Sequence, residues 1–207
     1  MKTADNSSVA PEPDTRDGAA RSGLMLISDN NDALVARILA ARSASRTLDL
    51  MYYIWRSDRT GTLLAKEIVK AAERGVKVRI LIDDVNPQSS DDAYIALDRH
   101  PNIELKLFNP SRIRNGNVFR RLEFLYRLFA MTRRMHTKAW IADGEVAISG
   151  GRNVGDEYFN ASDTNFRDLD LLSWGEVSAQ LLQLFESFWN FPASKASGSS
   201  TRSPLRP

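Results

Sequence analysis

The sequence predicts an α/β fold, a mixed and mostly parallel sheet flanked by helices, on three observations. Stretches rich in β-formers alternate with stretches of helical period. One of the strand-like stretches, Val76 to Ile82, is apolar nearly throughout, as a central parallel strand is. A chain of 207 residues with 43% hydrophobic content can bury a full core as one domain.

Taken in order, Met1 to Gly23 is rich in Ser, Asp, Pro, Ala and Gly without an apolar run, so it reads as a disordered segment (1–23) and not as a signal peptide or anchor. The folded domain is expected over 24–191. From Asn31 the pattern is helical, with Leu34, Val35, Ile38 and Leu39 on one face and Asn31 or Asp32 placed to cap the first turn. Thr47 to Trp55 is a strand. Thr60-Gly61 opens a second helix carrying Leu63, Leu64, Ile68 and Val69, and Gly75 closes it as a C-cap. With the strand at Val76 this makes a βαβ unit. Asp91 to His100 reads as a short helix and Ile103 to Phe108 as a further strand. Leu169 to Trp174 adds another, and the last helix, Val177 to Phe191, offers Leu181, Leu184, Phe185 and Phe188 to the core. Pro192 and a Ser/Gly/Pro/Arg tail (192–207), read as disordered, stop the fold.

Between these lies the stretch that carries chemistry, Met135 to Asn153. Asp143-Gly144 is a dipeptide suited to the positive φ angles of a tight hairpin turn, so two short strands flank it. Along the first, His136, Lys138 and Trp140 share a face by strand alternation, and Thr137, Ala139 and Ile141 share the other. The return strand ends in Gly150-Gly151, where the missing side chains permit close backbone approach, followed by Arg152-Asn153. An imidazole, a cation and further donors at one spot are what an anionic phosphoryl group requires. Asp143 is explained by turn chemistry and is assigned a structural role, with Gly150 and Gly151. Arg152 reads equally as a surface residue or a phosphate contact.

His136, Lys138, Asp143, Gly150, Gly151 and Asn153 fall at the spacing of the HxKxxxxD…GGxN signature, and the chain resembles the phospholipase D superfamily. GGRNVGDEYF, LDLMYYIW, RILIDD and FRDLD extend the resemblance to the N-terminal half of bacterial cardiolipin-synthase-type proteins, which carry two such motifs where this chain has one. The resemblance implies a metal-independent, cofactor-free phosphodiester transfer on phospholipids. His136 would form a phosphohistidine, Lys138 and Asn153 (with Arg152) would bind the phosphate, and Asp168, or failing it Glu157, would orient the imidazole. A second half-site would supply the proton for the leaving alkoxide. Expected partners are a phospholipid at a membrane surface, a water or alcohol acceptor, and a second copy or a separate second half. The expected location is cytoplasmic or peripheral to the inner membrane.

A single-motif dimeric nuclease and an inactive N-terminal fragment stay open as alternatives. With no cysteine and only His100 and His136, the chain offers no thiolate or histidine-rich metal site. Asp83-Asp84 is read as loop support and His100 as a surface residue. The arginines from Arg112 to Arg134, interleaved with Phe119, Phe124, Tyr126 and Phe129, suit a helix over Asn117 to Arg133. Its basic face would serve solvent, anionic headgroups or nucleic acid alike.

Overall fold

A computed structural model of the chain describes residues 21–84, 97, 99–110 and 134–196. The helix expected at Asn117 to Arg133, the helix expected at Asp91 to His100 apart from Leu97, Arg99 and His100, and most of the two termini lie outside the described residues. Those described form β1 (Ser22–Ile27), α1 (Asn30–Ser43), β2 (Thr47–Tyr52), α2 (Arg59–Glu73), β3 (Lys77–Asp83) and β4 (Ile103–Phe108). They continue with β5 (Ala139–Ala142), β6 (Val146–Gly150), β7 (Asp170–Gly175), α3 (Glu176–Trp189) and β8 (Ser194–Ala196).

All eight of these strands join one sheet in the order β1-β7-β6-β5-β2-β3-β4-β8. Only β2 with β3 and β3 with β4 pair in parallel; the other five pairings are antiparallel. The sheet is therefore mixed as expected, but the mostly parallel part of the expectation is corrected. The βαβ unit supplies the parallel centre, while β5 and β6 are joined by a tight turn that only antiparallel neighbours allow and β7 returns against β6 after the longer segment 151–169.

Strand alternation sorts the core into two layers. Leu48, Leu50 and Tyr52 of β2, Val78, Ile80 and Ile82 of β3, and Trp140 of β5 pack with α1 and α2. Met51, Leu81, Ile141 and Ala147 face the other way, onto Phe185 and Trp189 of α3.

The helix starts differ from the expected caps by about two residues. Asp29 caps α1, accepting from the amides of Asn31 at 2.7 Å and Asp32 at 3.1 Å, and Asp58 caps α2 through the Gly61 amide at 2.9 Å. In each case the carboxylate must precede the first free amides that it satisfies. Gly75, at φ +97°, follows α2 in the left-handed conformation that its lack of a Cβ allows. At the flanks, β1 begins at Ser22 and β8 pairs Ser194–Ala196 with β4, so the sheet reaches beyond the 24–191 bounds read from composition. Among the described residues no helix is long and apolar enough to cross a membrane.

Candidate active site at one edge of the sheet

Because β5 runs against β2, β6 against β5 and β7 against β6, the end of β2, the entry to β5, the end of β6 and the entry to β7 meet at one edge. The parallel pairing of β2 and β3 brings Asp83 to the same edge. This is where the sequence-predicted residues gather, apart from Asp143. That aspartate is in the hairpin turn at the opposite end, at φ 56° with Gly144 at φ 71°. Its carboxylate accepts hydrogen bonds from the backbone amides of Ser45 (2.9 Å), Arg46 (2.7 Å) and Thr47 (2.8 Å), clamping the α1–β2 connection to the hairpin.

His136 is exposed just before β5, and Lys138 is buried at its entry. The Lys138 ammonium donates to the His136 carbonyl at 2.6 Å and lies 3.0 Å from Nδ1 and 3.1 Å from Nε2, near both ring nitrogens. Burial lowers the pKa of Lys138, and the nearby Asp168 carboxylate offsets part of that shift. An aromatic ring completes the group: Tyr53, just past β2, has its centroid 4.9 Å from that of His136, and the Lys138 ammonium lies 5.4 Å from the Tyr53 centroid.

The entry to this segment is held by Asp83, whose buried carboxylate accepts from Arg134 Nη1 at 2.8 Å and from the Met135 amide at 2.9 Å. The residue before His136 is thereby fixed to the end of β3. Burial raises the pKa of Asp83 against the pull of those two donors.

Gly150 and Gly151 are required by what presses on them. A Cβ at Gly150 would lie 2.1 Å from Asp170 Oδ1, and one at Gly151 would lie 2.2 Å from Asp168 Oδ1. The half-buried Asp168 thus rests on a bare backbone, with Oδ1 accepting from the Leu169 amide at 2.8 Å. Among the described contacts it reaches Lys138 electrostatically, and no hydrogen bond joins it to His136. Glu157, the second candidate for orienting the imidazole, is engaged by Arg56 Nε at 2.9 Å.

Asn153 is buried beside Tyr158. Its side-chain carbonyl accepts from the Ile54 amide at 3.1 Å and its amide nitrogen donates to the Tyr158 hydroxyl at 3.0 Å, which leaves one amide hydrogen uncommitted among the described contacts.

Arg152 is a correction. Its guanidinium is wholly buried, donating to the Ile27 and Ser28 carbonyls and to Asn30 Oδ1, and it lies 3.3 Å from Asp170. Strand alternation past Gly151 turns it into the core layer beneath α1, where Arg37 meets the same Asp170 at 2.8 Å. It braces the glycine turn from below and does not present to a phosphate. His100 is remote from the site, its Nδ1 accepting from the Asn102 amide at 3.2 Å.

Tyr53 was not identified as a site feature from sequence, whereas Asp83, read as loop support, holds the segment that leads into β5. The available signal for Tyr53 was alternation, since Tyr52 buries toward the helices and its neighbour must face the other way.

Comparison with known proteins agrees with this geometry. A family profile described as cardiolipin synthase, PLD-like domain, matches residues 38–189. Cardiolipin synthase C of Escherichia coli strain K12 is 42% identical over 168 residues, which are 81% of this chain and 35% of that protein. The chain thus spans about a third of the length of the curated relatives it matches. In fold, it is similar to the phosphatidylserine synthase of Haemophilus influenzae Rd KW20 (TM-score 0.68, 14% identity, covering 86% of this chain and 40% of that one). It is also similar to NucT from Helicobacter pylori (TM-score 0.60, 20% identity, covering 86% and 99%). With the motif spacing, the single mixed sheet and a profile match over most of the chain in agreement, the chain belongs to the phospholipase D-like phosphodiester-transfer family, among its cardiolipin-synthase domains.

Proposed function

We propose that the chain carries one half-site of a phosphatidyltransferase acting on phospholipids through a phosphohistidine. The observation that carries this reading is an exposed imidazole with a buried ammonium against it at one sheet edge. In the reaction a ring nitrogen of His136 attacks phosphorus and the bond to the leaving alkoxide breaks, giving a covalent intermediate that splits one displacement into two. Lys138 and the uncommitted amide hydrogen of Asn153 hold the non-bridging oxygens as charge builds on the pentacoordinate phosphorus. Asp168, beside Lys138, keeps that cation close to the imidazole and orients the ring once substrate draws the ammonium away. Water or an alcohol then takes the phosphatidyl group.

The departing alkoxide needs a proton, and a positioned acid is worth ~10² to 10⁴ in rate. The sequence holds one HxK, so the acid comes from a second half-site outside it. A single-motif dimeric nuclease is the second reading. It is favoured by the similarity in fold to NucT, 99% of whose chain in the solved structure is covered.

The test is incubation with phosphatidylglycerol labelled at phosphorus, followed by denaturation at alkaline pH. Label is expected on the wild type and absent from His136→Asn; equal labelling of both would remove His136 from the mechanism. Cleavage of plasmid DNA with no turnover of phosphatidylglycerol would replace the lipid reading by the nuclease.

A further inference from the structure

The two tyrosines delivered by the end of β2 do different things. Tyr52 is fully buried, its hydroxyl accepting from Arg37 Nε at 3.0 Å and its ring edge-on to Trp55 and Trp140. Tyr53 is half-buried on the site side, and its ring is inclined 55° to the His136 imidazole at 4.9 Å. Its hydroxyl makes no hydrogen bond among the described residues, so the ring is the part of the side chain that is engaged.

We propose that Tyr53 is a positioning residue for His136. An exposed histidine ordinarily samples several staggered χ1 wells and a broad χ2, and only some of these aim a ring nitrogen at a bound phosphorus. Here the imidazole has the Tyr53 ring at 4.9 Å, while the Lys138 ammonium lies about equally near its two nitrogens. Together these contacts select one orientation. The electron-rich face of an aromatic ring also attracts a cation, so Tyr53 steadies the buried Lys138 ammonium before an anionic oxygen arrives to pair with it. This inference rests on the reading of His136 as nucleophile and adds to it the residue that sets its angle.

The chain has two histidines, which makes the test direct. Imidazole proton resonances are recorded by NMR for the wild type, Tyr53→Phe and Tyr53→Leu, with His136→Asn to assign the pair. Turnover of a short-chain phosphatidylglycerol is measured in parallel. His136 is expected to show a ring-current shift in the wild type and in Tyr53→Phe, with kcat of the latter within about twofold. Tyr53→Leu should lose the shift and about tenfold or more in kcat at nearly constant KM, as misplacement of a reacting group does. Unchanged His100 resonances would report an intact fold.

The proposal is overturned if Tyr53→Leu leaves the His136 resonances and kcat unchanged. It is equally overturned if Tyr53→Phe fails as badly as Tyr53→Leu, which would make the hydroxyl the active part, or if KM alone rises, which would make Tyr53 a substrate contact. The resonances decide the packing independently of phosphorylation. Loss of labelling in the wild type would strike the nucleophile reading and leave the packing result standing.

Discussion

At the scale of the residue, Lys138 sets a measurable limit. Its pKa is lowered by burial, so in the free protein its charge is lost at a pH below the ordinary lysine range of about 10.4. The profile of kcat/KM should therefore carry an alkaline limb below that range, and Lys138→Arg, whose cation persists there, should remove the limb while lowering the rate. Lys138→Ala should cost on the order of 10²-fold or more in turnover, as removal of an oxyanion contact does; a near-wild-type rate would take Lys138 out of the site. His136, Lys138 and Asn153 were legible because strand alternation and hairpin pairing place residues by counting. Arg152 was not. A hairpin predicts the side on which a residue emerges, but whether that side meets solvent depends on α1, which arrives from more than a hundred positions away through Asn30. Long arginines bury only when carbonyls and a carboxylate wait for them, and the sequence does not display that arrangement.

At the scale of the element, two acidic side chains fasten pieces together. Asp143 satisfies three consecutive backbone amides, and although burial alone would raise its pKa, those amides hold it below the usual carboxylate value. Asp143→Ala should destabilise the chain by about 1 kcal/mol through loss of these charge-assisted hydrogen bonds, read as a lower urea midpoint. Glu67 of α2 is held down to about 2 by hydrogen bonds from Arg42 of α1 and from Lys70. A depressed carboxylate stabilises the fold above its unfolded value, 4.5, and loses that contribution as pH falls toward about 2. Thermal melts of Glu67→Gln should thus fall less steeply than wild type between those limits, with a modest effect because both cations are over half exposed. The elements that sequence made visible, α1 to α3 and β2 to β7, each have a long apolar period or a turn signal. β1 and β8 have neither. A six-residue strand whose Leu24, Met25 and Leu26 remain exposed, and a three-residue strand of Ser, Lys and Ala, become strands only because β7 and β4 present open edges to them.

At the scale of the whole molecule, a single HxK makes the source of the leaving-group proton a question to be measured. If the proton donor is a second His136, specific activity should fall on dilution through the dimer range, and mixed dimers of wild type with His136→Ala should be inactive, as an isologous site requires. Full activity from a species that sediments as a monomer would sink that expectation. The strand order also governs how the molecule is made. β1 is the first described strand in the chain, yet its partner is β7, with Ser22 set opposite Gly175. At the ~5–20 residues per second of translation, the about 150 residues between them take on the order of ten seconds to emerge. Throughout that interval a nascent apolar strand has no edge to join, and the glycine turn, whose Arg152 leans on the Ile27 and Ser28 carbonyls just past β1, cannot be braced. Biosynthesis should therefore leave the site unformed until β7 has cleared the ribosome, and slowing elongation after β6 should lengthen the period in which the nascent chain depends on chaperones.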